Sequence, residues 1–425
     1  MKIIQRINLN NKSLILVVVS ILTQILPILI SPIFSRIYSP EQFGEFSIIL
    51  SYSAICVIFF SGKYELALLI PKYDIDIKSI FRLCLLIILF CVITSIVIVL
   101  IYLAVSFFFG AKPDPIFILV PFYTLLVSLY QILSYLLLYL KRFKELSINR
   151  LIKSVATVML IAMIGLFFKG INGLIIGSFI GQLISIILCF YLVDRTSLRF
   201  KKLLIIRDLK KLRLLSKTYI NFPKFSLPAD MINAVVSQAP LFILSIYFTK
   251  TVVGYYGFVL TVVHVPIAIV ASAVLDIFKE KATREFKELG NCVGAYKKTF
   301  LLLLGINVIP LLIISLWGPE VFKFVFGSQW QEAGIYAQIM IGMFFIKFLS
   351  SPLSYTFILM GKQKLDLYLH MIIFIMLFIS IFLGVYLKLS VISFLILISI
   401  VFALIYLVYI LKSYQYAKGY VKTSN

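Results

Sequence analysis

Among the residues able to do chemistry in this chain, Lys347 makes the sharpest demand on its surroundings. It stands about 13 residues from either end of an apolar run, 335–360. On a helix that is about 20 Å of rise each way, too far for the lysine stem to reach water easily. A charge at such depth costs at least about 2.5–3.5 kcal/mol near the centre of a membrane helix, so the ammonium must face a wet cavity or a partner. The carboxylates in or near apolar runs are Glu65, Asp230 and Asp276, all in the inner third and none level with Lys347. These three are candidate coupling or structural carboxylates. Mid-depth charge is then net positive and suits an anionic ligand; the competing reading is a lysine that is neutral or solvated by water, with no ligand.

Three further cations extend this reading. Arg36 and Lys224 mark the outer and inner mouths of any cavity, although headgroup anchoring is an equal account of the arginine. Lys63 and Glu65 are two apart on a helix, point to opposite faces and cannot pair, so each needs its own partner or water. Arg36 lies a full membrane thickness from both.

Covalent catalysis finds no support. His264 and His370 fall in different apolar runs with no Cys or carboxylate at ligand spacing. His264 is a candidate proton site, with a hydrogen-bonded structural histidine as the plainer role. Of the five cysteines, Cys56, Cys84, Cys91 and Cys189 fall in or at apolar runs and Cys292 in a loop, unpaired in spacing, which argues against disulfide and metal alike. No glycine-rich phosphate loop occurs, and no catalytic residue, metal or cofactor is expected.

The elements that must position these groups are set by composition. Of 425 residues, 62% are hydrophobic and 13% charged, whereas a soluble domain is about half apolar and a quarter charged. Lipid must be the solvent. With about 20 residues per crossing, the spans fall near 13–34, 45–66, 83–107, 115–140, 151–168, 171–193, 228–248, 252–278, 299–317, 335–360, 367–387 and 391–411. The fifth and sixth are separated only by Lys169-Gly170. Charge supports the count of twelve. With the N-terminus inside, inward segments hold 33 of the 40 Lys and Arg, outward segments hold 6, and Lys347 is the last. This is the excess that cytoplasmic loops carry, and it puts both termini in the cytoplasm. The net charge of +23 therefore faces anionic membrane lipid, not nucleic acid. The first run is too long for a secretory signal and no small-x-small site follows it.

The expected fold is all-α and polytopic: an N-terminal six-helix bundle 1–193, a cytoplasmic amphipathic connection 194–227, a C-terminal six-helix bundle 228–412 and a tail 413–425. Within the connection, 195–217 alternates basic and apolar residues at helical spacing, which suits a helix on the inner leaflet or a partner-binding segment. The halves resemble each other. At an offset of 210, Tyr38-Ser39 and Gly44 align with Phe248-Thr249 and Gly254, each at the outward turn of the first hairpin of its half. An even number of spans gives both copies one orientation, as in transporters built of parallel repeats; the shared preference of hairpins for Gly and hydroxyls is the simpler account. Gly173, Gly177 and Gly181 form one face where another helix can approach closely. Pro27, Pro32, Pro266 and Pro352 lie inside spans and should bend them.

Motifs spread along the chain carry a family likeness. They are Ser35-Arg36-Ile37-Tyr38-Ser39-Pro40-Glu41-Gln42-Phe43-Gly44, Lys63-Tyr64-Glu65-Leu66-Ala67, Phe222-Pro223-Lys224, Gly254-Tyr255-Tyr256, Phe326-Gly327-x-x-Trp330-x-x-Ala333-Gly334, Ser351-Pro352-Leu353-Ser354 and Gly361-Lys362-Gln363. In order and spacing the chain resembles the Wzx-type polysaccharide (O-antigen and capsule repeat unit) flippases of the multidrug/oligosaccharidyl-lipid/polysaccharide exporter superfamily. Lys63 departs from the arginine common there, keeping charge but not bidentate geometry. The resemblance implies a multidrug-exporter-like two-bundle fold in the bacterial inner membrane. It also implies a non-enzymatic flippase for an undecaprenyl-pyrophosphate-linked oligosaccharide, used in O-antigen, lipopolysaccharide or capsule biosynthesis. The polymerase and chain-length regulator of the same pathway are the implied partners. The rival readings are a cation-coupled multidrug antiporter of the same superfamily, a membrane polysaccharide polymerase and a scaffold. The first should carry a mid-depth carboxylate and the second a large outward loop, and the sequence shows neither.

Overall fold

The structure is a computed structural model and describes residues 11–71, 73–110, 114–168, 172–195 and 209–419. Among the described residues, twelve helices are long and apolar enough to cross a membrane and no strand occurs. The first six are α1 (Asn11–Ile37), α2 (Pro40–Phe60), α3 (Asp74–Phe108), α4 (Leu119–Tyr139), α5 (Phe143–Phe167) and α6 (Gly173–Asp194). A short α7 (Leu209–Thr218) precedes α8 (Leu227–Tyr247), α9 (Lys250–Leu289), α10 (Val293–Phe326) and α11 (Gln331–Leu353). A one-turn α12 (Tyr355–Leu359), α13 (Gln363–Tyr386) and α14 (Val391–Ala417) complete the chain. Large apolar side chains point outward: Phe107, Phe108 and Phe324 are each 84% exposed. That surface suits lipid, with the backbone polar groups satisfied inside the helices.

Local chemistry explains where the helices start and break. Ser39 and Gln42 form a reciprocal cap, each side chain bonded to the other's backbone N–H at 3.3 and 3.0 Å, with Pro40 in the first turn of α2. Thr249 caps α9, its hydroxyl accepting from the N–H of Val252 at 3.4 Å. The helix α2 ends at Phe60, and Gly62 and Lys63 follow with φ of 56° and 61°. This corrects the 45–66 span: a left-handed turn closes the helix before Lys63 is reached. Each of two π turns lies at a proline. Phe222–Ser226 contains Pro223, and Leu260–His264 ends two residues before Pro266 within α9, where the missing N–H favours a locally wider turn. The 299–317 span is also revised. The helical run continues to Phe326 across a break at Trp317, two residues before Pro319.

The chain divides into two compact units, Met1–Tyr38 with Glu45–Phe242, and Ser39–Gly44 with Ile243–Asn425. In the first unit, Gly177 and Gly181 abut Ile161 and Thr157 of α5, so α5 and α6 are two helices meeting as an antiparallel pair. A β-carbon at Gly173 would collide with Tyr38, whose hydroxyl donates to the carbonyl of Ile161 at 2.5 Å. The core here gathers Phe81, Cys84 and Ile88 of α3, Leu133 and Leu137 of α4, and Cys189 of α6. Helix α7 joins it, burying Leu212 and Leu215 while Leu214 stays exposed, and Lys211 pairs with Asp76 at 2.7 Å. Helix α7 lies within the segment 195–217 expected to be amphipathic, of which residues 196–208 lie outside the described ones. The second unit centres on Phe278, Tyr296, Leu303 and Phe348. At its other end, Trp330 stacks on Phe258 at 4.0 Å and takes the edge of Phe43 at 5.0 Å.

Candidate functional site

The candidate residues fall in separate places in the two units. In the first, the turn after α2 aims Lys63 at Asp230 of α8, with Nζ–Oδ2 at 2.7 Å, and leaves its ammonium 4.0 Å from Glu65. The expectation that Lys63 and Glu65 cannot approach each other is therefore corrected. It assumed a helix at 63–65, and the left-handed Lys63 bends the chain so that both side chains meet. Glu65 is fully buried and accepts from Gln131 Nε2 of α4 at 3.0 Å. Burial is the main influence on its carboxyl and raises its proton affinity, with the Lys63 ammonium opposing.

Arg36 is exposed in the last turn of α1. The 21 residues of α2 separate its end of the hairpin from Lys63, about 30 Å at helical rise. Lys224 is exposed in the first π turn, 5.3 Å from the Phe225 ring centroid. Neither contributes to the Lys63 cluster. Asp276 is a surface residue of α9, paired with Lys279 at 3.2 Å with its side chain 78% exposed; such a pair contributes little.

In the second unit, Lys347 of α11 meets His264, which the π turn of α9 presents: Nζ and Nε2 are 3.1 Å apart. A protonated lysine donates there, which places the ring proton on Nδ1. The Phe344 ring lies 5.2 Å from the imidazole, and the Tyr406 ring of α14 lies 6.0 Å from the ammonium. No ion pair among the described residues includes Lys347. It sits 12 residues before the end of the segment Ser328–Leu359, about 18 Å of rise, so it is deep in the span. Sequence spacing alone gave no reason to join two residues 83 positions apart.

Two more interior cations are not marked by hydropathy, because Arg150 falls between the expected spans 115–140 and 151–168 and Lys153 stands at the edge of the second. Arg150 and Lys153 lie inside α5, the first donating to Ser20 Oγ of α1 at 2.6 Å, the second 4.4 Å from the centroid of the Tyr130 ring on α4. A helix beginning at Phe143 was the missing signal.

The chain matches the family model described as "Polysaccharide biosynthesis protein" over residues 33–335. It belongs to that family. A comparison with curated protein sequences gave no match. Among solved structures, this polysaccharide biosynthesis protein is similar to the lipid II flippase MurJ in an inward closed conformation, with a TM-score of 0.69 at 16% identity, covering 95% of this chain and 87% of that one. It is also similar to an inward-facing multidrug resistance MATE family transporter of the MOP superfamily, at 0.65 and 13%, covering 95% and 96%. A MOP superfamily transporter from Pyrococcus furiosus gives 0.56 at 14%, covering 95% of each chain. These likenesses establish the fold: an all-α polytopic membrane protein of the multidrug-exporter type, with twelve membrane helices in two six-helix bundles. The polysaccharide biosynthesis protein is thus a multi-pass membrane protein, and the family resemblance read from the sequence is borne out.

Proposed function

We propose that this protein is a flippase. It carries an undecaprenyl-diphosphate-linked oligosaccharide across the bacterial inner membrane by alternating access, for O-antigen or capsular polysaccharide assembly. Both termini lie in the cytoplasm, and the product passes to the polymerase and chain-length regulator of the same pathway. The observation that carries this reading is Lys347: a deep ammonium bonded to an imidazole and to no carboxylate among the described residues, in a polysaccharide biosynthesis protein. Such a group keeps its charge most readily where water and an anion offset desolvation, and a diphosphate is the anion on lipid-linked glycans. A protein of the same fold is named as a lipid flippase. No covalent bond need break, so the protein is a transporter, not an enzyme. A cation-coupled antiporter calls for a mid-depth carboxylate, and His264 occupies the place beside Lys347 instead.

The test is reconstitution in vesicles holding undecaprenyl-diphosphate disaccharide with a fluorescent tag on the sugar. Dithionite added outside should quench nearly all fluorescence with the protein present, and only the outer-leaflet share without it. Equal quenching in both would end the flippase reading. Uptake of a cationic dye driven by an ion gradient would put the antiporter in its place.

A further inference from the structure

Two like charges stand side by side within the helix α5, and among the described residues no carboxylate pairs with either. Arg150 and Lys153 are three apart and so share a face. They lie seven and ten residues beyond the start of α5 at Phe143, about 10 and 15 Å along its axis. None of the ion pairs among the described residues includes them. Arg150 donates to Ser20 Oγ, at 2.6 Å, and is hydrogen-bonded to the Tyr130 hydroxyl, while Lys153 lies over the Tyr130 ring at 4.4 Å. A guanidinium has five donors and an ammonium three, so most of their capacity is uncommitted by these contacts. Both side chains are half-buried, as are Ser20 and Tyr130. Repulsion and desolvation both oppose this arrangement, and a bound dianion would reverse both.

We propose that Arg150 and Lys153, with Tyr130 beside them, form a diphosphate-binding site in the first unit. The guanidinium offers a fork that fits two phosphate oxygens, the ammonium adds a point charge one turn away, and the phenol supplies a rim donor. The proposal deepens the flippase reading and rests on it: the diphosphate is the headgroup of the lipid-linked substrate. The site is separate from Lys347, so the headgroup has one cationic station in each unit.

The experiment uses the full-length protein in nanodiscs, with two probes. One is inorganic pyrophosphate; the other is undecaprenyl diphosphate in the disc, compared with discs of phosphatidylcholine alone. Wild type should bind, more tightly to the lipid if the headgroup is the ligand and equally to both if free diphosphate is. Arg150→Gln with Lys153→Gln should weaken binding by about tenfold or more for each charge-assisted contact removed. The charge-keeping exchange Arg150→Lys with Lys153→Arg should stay within a few fold of wild type. Should the double glutamine variant not fold, Lys153→Gln alone, checked for an unchanged melting temperature, carries the test. A folded neutral variant that binds and flips like wild type overturns this site and leaves the flippase reading standing. A wild type that neither binds diphosphate nor flips the tagged lipid overturns both.

Discussion

Gly44 and Gly254 face each other's helices at one crossing: a β-carbon on Gly44 would overlap the backbone carbonyl of Lys250, and one on Gly254 would overlap that of Pro40. The offset of 210 residues that aligns Gly44 with Gly254 also aligns Pro40 with Lys250, and the capping residues Ser39 and Thr249 in front of them. The contact is therefore reciprocal. At this separation, α2 and α9 can touch backbone to backbone, the close approach that small residues permit between membrane helices.

Backbone carbonyls cannot swing aside as a side chain can. Gly44→Ala and Gly254→Ala are each expected to cost about 1–3 kcal/mol through overpacking and to lower the melting temperature of the detergent-solubilised protein by several degrees. Gly342→Ala is the control, because a β-carbon there meets nothing within 4 Å. Equal melting of all three variants would mean that the crossing is looser than described.

Glu65 predicts a pH dependence. Its raised proton affinity, caused chiefly by burial, means that the folded protein holds the proton at a pH where the unfolded chain has released it. The associated stability is present below the ordinary glutamate range and falls as pH rises through the higher folded-state value. Asp230 and Tyr135 share this surrounding and Cys84 lies near, with Lys63 as the opposing cation. Wild type should melt lower at about pH 8 than at about pH 5.5, and Glu65→Gln should flatten that difference. A slope unchanged in the glutamine variant would assign the effect to another group.

The exposed face of α7 tests the topology. Lys217 is exposed, while Leu212 and Leu215 are buried. In a background with the five native cysteines replaced by serine, Lys217→Cys should react with a membrane-impermeant maleimide only after the inner face is opened. Labelling in intact cells would reverse the orientation of every helix.

The large features were legible because lipid imposes a simple rule. Length and apolarity found twelve spans, and glycines at four-residue spacing on α6 marked the face that meets α5. What escaped is what continuous apolarity cannot encode. Lys63 sits in a left-handed turn that hydropathy reads as helix, and Arg150 lies before, and Lys153 at the edge of, the 151–168 span that hydropathy gives, although α5 begins at Phe143. The motifs behind the family likeness mark junctions more than chemistry. Phe326, Trp330 and Phe43 pack around Phe258, Gly334 abuts Pro319, and Gly361 turns the chain at φ 67°. They preserve the fold, which is why they identify the family and leave the site to be found by geometry.

Lys347 and His264 give the prediction nearest to function. The ammonium lies deep in its span and its hydrogen bond runs to an imidazole, so removing it takes a positive charge from that depth without stranding a carboxylate. Lys347→Ala should therefore leave abundance and melting near wild type while glycan export, read by surface staining, falls below about a tenth, as loss of one charge-assisted contact of 1.5 kcal/mol or more would give. Lys347→Arg keeps the charge and should keep partial export, because a site built for a point charge accepts a fork better than the reverse. His264→Gln retains a hydrogen-bonding partner for the lysine and should weaken export only a few fold. If the imidazole itself relayed a proton during transport, His264→Gln would instead match Lys347→Ala. Normal export by a well-expressed Lys347→Ala protein would remove this lysine from the transport path.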